Sequence, residues 1–134
     1  MAVDGNRELA RRIFEYGVYL LVAMVVIQVL LAGLGVFANA SWFFWHAGVN
    51  GALLFLVPLL LILIGWYGRV PVRTRLLMLA IPGLVILQSV FLIPYRANVE
   101  GPLRAIAGLH AANALVIFWV ALQLLDRVRV PSKG

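Results

Sequence analysis

The sequence predicts an all-α integral membrane protein: a four-helix bundle of two tandem helical hairpins with both termini in the cytoplasm. Hydrophobic residues make up 64% of the 134-residue chain and charged residues only 12%, about half the charged fraction of a typical soluble domain. Four apolar runs of about twenty residues are nearly free of charge, which is typical of transmembrane helices. We therefore expect a single membrane domain over residues 1–134.

The first two apolar runs predict the first hairpin. Its first helix covers about residues 14–37, a run longer than the signal-peptide core of about 7–15 residues, so we expect it to be retained. Its second helix covers about residues 42–66. Aromatic residues flank this second run, as they do at membrane interfaces: Trp42, Trp45, Trp66 and Tyr67.

The last two runs predict the second hairpin, with helices over about residues 76–93 and 105–125. A basic loop, Gly68–Arg75, joins the two hairpins. Within the second hairpin, Pro94 is expected to end the first helix. The segment Tyr95–Arg104 is expected to be a loop, because it contains a glycine and a further proline.

Basic residues predict the orientation in the membrane. Because cytoplasmic loops carry an excess of Lys and Arg, we expect a multi-pass protein of a bacterial inner membrane. The net charge of +6 then reflects topology, and we expect no nucleic-acid partner. Two basic residues fall outside, Arg96 and Arg104. Nine fall inside: Arg7, Arg11, Arg12, Arg69, Arg73, Arg75, Arg127, Arg129 and Lys133.

Several kinds of chemistry are excluded or disfavoured by residue types. The chain has no cysteine, which excludes disulfides and iron–sulfur clusters. Proton-coupled carriers usually need ionisable groups inside the membrane, so a pump or secondary transporter is disfavoured here. The carboxylates all stand at or beyond the ends of the apolar runs: Asp4, Glu8, Glu15, Glu100 and Asp126.

The two histidines, His46 and His110, stand in related stretches, Trp45–Leu53 and Leu109–Leu115. In both, His-Ala is followed about one helical turn later by Asn and then by Ala-Leu. The two helices concerned run in the same direction, so we expect the histidines at equal depth, about 7 Å below the outer helix starts. An imidazole there needs a partner, since an unsatisfied polar group in hydrocarbon costs several kcal/mol.

Three interpretations of this pair remain open. His46 and His110 are candidate axial ligands of one haem b, facing each other across the bundle. Alternatively, they are structural and hydrogen-bond to Gln28, Gln88 or backbone carbonyls. In the third interpretation, these glutamines and the histidines hold a quinone or lipid headgroup. Small residues would make room for a macrocycle, or would simply allow close helix packing: Gly33, Gly35, Ala47, Gly48, Gly51, Ala107, Gly108, Ala111 and Ala112.

Four further polar residues belong to the candidate site. Asn50 and Asn113 lie near the faces of His46 and His110. They are expected either to position the ligands or to hydrogen-bond between helices. Arg96 and Arg104 are candidates to pair with haem propionates, because guanidinium matches carboxylate geometry, or are solvated loop charges.

The chain resembles an uncharacterised family of small four-helix bacterial membrane proteins, a domain of unknown function. The resemblance rests on the stretch Gln28–Phe37, the His46 stretch and Leu109–Ala114. A weaker likeness is to one four-helix half of haem A synthase, which carries haem-ligating histidines on its second and fourth helices. That family also has a catalytic carboxylate one turn before its first histidine, where this chain has Phe43. The likeness implies a bis-histidine b-type haem and argues against haem oxygenation.

We therefore expect a small membrane b-type cytochrome, or a haem-bearing subunit of a respiratory or other electron-transfer complex. Its haem would lie near the outer face and exchange electrons with an outer-side redox partner or a quinone. An accessory role is favoured over a stand-alone enzyme. The alternatives are a cofactor-free structural or assembly subunit of a larger membrane complex, and a quinone- or lipid-binding protein.

Overall fold

The computed structural model describes residues 2–129, and within them four helical spans are long and apolar enough to cross a membrane. These spans are Val3–Phe37, Phe44–Tyr67, Val72–Arg96 and Gly101–Arg129. No strand occurs in the described range. The predicted all-α, four-helix fold is therefore confirmed, and the length and composition of the spans indicate a multi-pass membrane protein in a lipid bilayer. Lys133, one of the predicted inside charges, lies outside the described residues.

The four spans differ in the types of helix that they contain. The first is one long α-helix, whereas the second and fourth begin with a segment of different helical pitch. In chain order the elements of the described range are α1 (Ala2–Phe37), a π-helical segment (Phe44–Asn50), α2 (Gly51–Tyr67), α3 (Val72–Phe91), α4 (Ile93–Arg96), a 3₁₀ segment (Gly101–Gly108) and α5 (Leu109–Arg129).

Helix α1 begins at Ala2, twelve residues before the predicted start at residue 14. The polar N-terminal segment is helical because its charges are spaced to support a helix. Arg11 Nε lies 3.1 Å from Glu15 Oε1, and Arg12 Nε lies 3.1 Å from Glu8 Oε1. Such pairs four residues apart stabilise a helix. The hydropathy of the sequence predicts only the apolar part of α1.

The predicted loops are also shorter than expected, because prolines begin helical turns in this chain. Helix α3 begins at Val72 rather than at residue 76, directly after Pro71. The predicted loop 95–104 is partly helical, since Pro94 stands in the first turn of α4 and Pro102 in that of the 3₁₀ segment. Proline suits the first helical turn, where its missing N–H leaves no bond unmade.

The four long helices form a ring. Helix α1 packs against α2, α2 against α3, α3 against α5, and α5 closes the ring against α1. Within residues 2–129, the diagonal pairs α1–α3 and α2–α5 do not pack directly. The hairpin of α1 and α2 therefore supplies one half of the bundle, and the hairpin of α3 and α5 supplies the other. The bundle axis runs through the centre of the ring.

A stripe of apolar side chains fills the axis. On α1 the fully buried residues Phe14, Val18 and Leu21 recur at helical spacing, which turns one face of the helix towards its neighbours. Met78 and Ile81 on α3 are equally buried. About two turns beyond Leu21 and Ile81 stands a glutamine, Gln28 on α1 and Gln88 on α3, so the core changes from apolar to polar at one end.

Gly68 allows the loop after α2 to approach the backbone of α1. A Cβ atom at this position would lie 2.8 Å from Arg11 N and 3.2 Å from Ala10 C. We expect Gly68→Ala to lower the free energy of unfolding by about 1–3 kcal/mol, as overpacking does, measured by denaturant titration in detergent. Gly83→Ala is the matched control, because its Cβ meets no atom within 4 Å. Equal stability of the two variants would contradict this packing.

Candidate functional site

The first hairpin holds a cluster of three polar side chains at one end of the bundle. His46 Nδ1 lies 2.9 Å from the backbone oxygen of Gln28. Because a carbonyl can only accept, Nδ1 carries the proton and donates. Asn50 Nδ2 donates to Met24 O at 2.9 Å and to Gln28 Oε1 at 2.6 Å. These bonds join the second span to α1, as the interhelical interpretation of Asn50 predicts.

The second hairpin repeats this cluster atom for atom. His110 Nδ1 donates to Gln88 O at 3.1 Å. Asn113 Nδ2 donates to Leu84 O at 2.9 Å and to the side-chain oxygen of Gln88. In both hairpins, asparagine bonds the glutamine side chain and the carbonyl four residues before it, while histidine bonds the glutamine carbonyl. The tandem repeat read from the sequence is therefore a repeat of hydrogen bonds.

The π-helical segment explains how the two hairpins form the same hydrogen bonds although their His–Asn spacings differ. Asparagine follows histidine by four residues in the first hairpin and by three in the second. A π-helical turn holds about one residue more than an α-helical turn. His46 and Asn50 lie in the π segment, Phe44–Asn50, whereas His110 and Asn113 lie in α5. The wider turn absorbs the extra residue, so that both pairs reach equivalent partners.

The two imidazole rings meet at the bundle axis. Their centres are 6.3 Å apart and their planes are inclined by 56°. The residues belong to diagonally opposite spans, and both side chains are half-buried. Neither Nε2 atom has a hydrogen-bond partner within residues 2–129. When Nδ1 is protonated, a neutral imidazole keeps a lone pair on Nε2. Each ring can therefore bind a metal ion or accept a hydrogen bond at Nε2.

The small residues predicted near the histidines fall into two groups. Gly33 and Gly108 border open space, and at Gly48 an added Cβ would meet only the Phe44 ring, at 3.6 Å. Gly35 instead packs against the Phe43 ring, and Gly51 lies against the backbone of His46. The expectation of room for a macrocycle is therefore wrong at Gly35 and Gly51, where the glycines allow close packing.

A family model matches residues 28–93 of the chain, from Gln28 to Ile93 in the third span. This stretch is similar to the family DUF6220. It is a family of unknown function, which confirms the resemblance to an uncharacterised family and brings no activity with it. The match includes His46, Asn50 and Gln88 and ends before His110. No curated protein and no solved structure matches the chain, so the likeness to haem A synthase stays a prediction.

Arg96 and Arg104 lie close to the boundary at which the DUF6220 match ends. Arg96 closes the single turn of α4 and is exposed. The guanidinium carbon of Arg104 lies 5.2 Å from the centre of the Tyr95 ring, a cation–π contact. Neither arginine forms an ion pair with a carboxylate of the described residues. Their pairing with propionates stays a prediction.

Several parts of the candidate site were not predicted from the sequence. The carbonyls of Met24 and Leu84 accept the asparagine bonds, and every residue type carries such a carbonyl. Phe43 contacts the His46 ring edge-on, with ring centres 6.2 Å apart. One available signal in the sequence is a repeated spacing: Met24 and Leu84 each lie four residues before a glutamine, Gln28 and Gln88. This spacing places each carbonyl one helical turn from its glutamine.

Proposed function

We propose that the chain is a small b-type cytochrome of a bacterial inner membrane, in which His46 and His110 ligate one haem iron. The observation that carries this proposal is the approach of the two imidazole rings to 6.3 Å between centres. These are the chain's two histidines, and they come from diagonally opposite spans. Haem proteins use neutral imidazole nitrogens as axial ligands.

The ring separation fits two ligands on one metal ion. An ion bound by imidazole nitrogens at about 2 Å each, with each nitrogen about 1.1 Å from its own ring centre, separates collinear rings by about 6.2 Å. Aromatic rings in direct contact also have centres about 4.5–7 Å apart, so the separation alone does not distinguish the two arrangements. The 6.3 Å between the ring centres is compatible with a shared ion, and the haem assay below decides between an ion and direct packing.

The protein also holds each imidazole in the form that a ligand needs. The carbonyls of Gln28 and Gln88 accept from Nδ1, which leaves the lone pair of each neutral imidazole on Nε2. Histidine ligands commonly donate their second nitrogen to a carbonyl, which fixes the tautomer and raises the basicity of the ligand. Asn50 and Asn113 fasten each histidine-bearing span to its neighbour, which preserves the distance between the rings.

When bound, a haem would supply reversible one-electron transfer. The histidines lie at one end of the spans, and the distribution of basic residues predicts that this end is at the outer face. This position favours exchange with an outer-side redox partner or a membrane quinone over transfer across the bilayer. Since the described chain is almost wholly membrane-spanning helix, a role as a subunit of a larger redox complex suits it.

A structural subunit without cofactor is the second candidate. It is favoured by the glycines at 35 and 51, which pack against protein groups, and by the asparagine bonds, which join helices without a ligand. The quinone interpretation is weaker, because the side-chain oxygens of Gln28 and Gln88 already accept from Asn50 and Asn113.

Haem stoichiometry tests the proposal. The chain should be produced with a haem precursor, purified in mild detergent and assayed by the pyridine haemochrome method. We expect one haem b per chain, and none in the His46→Ala/His110→Ala variant. Ser89→Ala is a matched control, because its hydroxyl bonds only its own helix, at Val85 O. A folded, haem-free protein would contradict the proposal and leave the structural subunit or the quinone site as the alternatives.

A further inference from the structure

A cavity of about 590 Å³ opens at the end of the bundle opposite the histidines. It lies between the start of α1, the loop before α3 and the end of α5. Its volume is within the usual range of small-molecule sites, about 300–1,000 Å³. Part of its wall is apolar, from Phe14, Val70 and Pro71. A ligand with both a charged group and an apolar part would match this lining.

The charged lining has an excess of arginine. Arg11 is paired with Glu15, and Glu8 is paired with Arg12, which lies outside the cavity. No ion pair within residues 2–129 involves Arg7, Arg69 or Arg127. The positive charges are Arg7, Arg11, Arg69, Arg127 and Arg129, against the carboxylates of Asp4, Glu8 and Glu15.

The loop that carries Arg69 is held firmly. Val70 N donates to Gly65 O at 2.8 Å, and Arg75 Nε donates to Val70 O at 3.0 Å. Arg69 itself has φ +56°, a left-handed conformation that is uncommon outside glycine and asparagine. The loop therefore presents Arg69 at a defined place on the cavity wall.

We propose that this cavity binds the phosphate headgroup of an anionic phospholipid. Guanidinium groups match phosphate geometry with paired donors. The same arginines predict that this end faces the cytoplasm, where anionic lipids bind basic pockets between transmembrane helices. The apolar surface of the spans beside the cavity would accommodate the acyl chains. The site is separate from the histidines and does not depend on haem binding.

The test compares lipids and arginine variants of the full chain. Native mass spectrometry in detergent would measure binding of phosphatidylglycerol and of phosphatidylcholine, with inorganic phosphate as a separate competitor. We expect phosphatidylglycerol to bind preferentially, and Arg69→Gln/Arg127→Gln to weaken that binding by about tenfold or more. Arg73→Gln is the matched control, because Arg73 carries the same charge in the same region but does not line the cavity.

Three results would overturn the proposal. Equal binding of the two lipids would show that headgroup charge is not recognised. Equal loss in Arg73→Gln and in the double variant would show a general surface attraction. Displacement of the lipid by millimolar inorganic phosphate would assign the cavity to a soluble phosphate compound. Circular dichroism of each variant would show whether the helical fold is retained, so that a loss of binding is not confused with a loss of fold.

Discussion

Replacing His46 or His110 by alanine is expected to abolish the six-coordinate haem spectrum of the purified protein. Each imidazole occupies one side of the proposed iron site, and no third histidine exists in the chain. A single variant should therefore lose haem or retain it with one open coordination position. The change would be measured as loss of the low-spin absorption bands and as new binding of carbon monoxide to the reduced form.

Imidazole rescue distinguishes ligation from a structural role for the ring. Added imidazole should restore the low-spin bands of a single variant that retains haem, because it replaces the missing ligand without repairing the bond to Gln28 or Gln88. Ser89→Ala should keep the original spectrum. Unchanged bands in either histidine variant would contradict bis-histidine ligation, and a fold lost in both variants would be detected by circular dichroism.

Removing the asparagine bonds is expected to destabilise the bundle. Asn50 and Asn113 are 6% and 5% exposed, and leucine is similar in size but cannot donate. Asn50→Leu leaves Met24 O and Gln28 Oε1 without this donor. An unsatisfied buried acceptor costs about 1–3 kcal/mol, and interhelical bonds in membranes average about 0.6 kcal/mol. We expect a loss of about 1–3 kcal/mol for each variant, measured by reversible unfolding in mixed detergent.

A double-mutant cycle isolates the Asn50–Gln28 bond. If the two side chains interact as the structure shows, the loss in Asn50→Leu/Gln28→Leu should be smaller than the sum of the single losses. The variants Asn50→Leu and Asn113→Leu should instead be nearly additive, because they disrupt separate clusters in different hairpins. Full additivity of the Asn50 and Gln28 changes would contradict the bond.

The fold was predictable because bilayer physics dictates it: apolar runs of sufficient length must become helices. The helix ends were less predictable. Arg11 and Arg12 belong to α1 through pairs with glutamates, which hydropathy does not register. Pro94 and Pro102 begin helical turns, although a proline in a sequence is also a signal that a helix ends.

The candidate site was predictable in its residue types and only partly in its geometry. The equal depth of His46 and His110 followed from two parallel helices. The π-helical segment was not expected, because only comparison of the two His–Asn spacings reveals the extra residue. The roles of Gly35 and Gly51 depend on which side chains reach them in space, and no local pattern indicates that.

The most direct test of the central claim is electron paramagnetic resonance of the oxidised protein, purified after growth with a haem precursor. Two imidazole ligands on one ferric iron predict a low-spin signal, accounting for one iron per chain and absent from the His46→Ala/His110→Ala variant. Since the rings are inclined by 56°, we expect neither fully parallel nor fully perpendicular ligand planes. A purely high-spin signal, or a low-spin signal that survives in the double variant, would contradict ligation by His46 and His110.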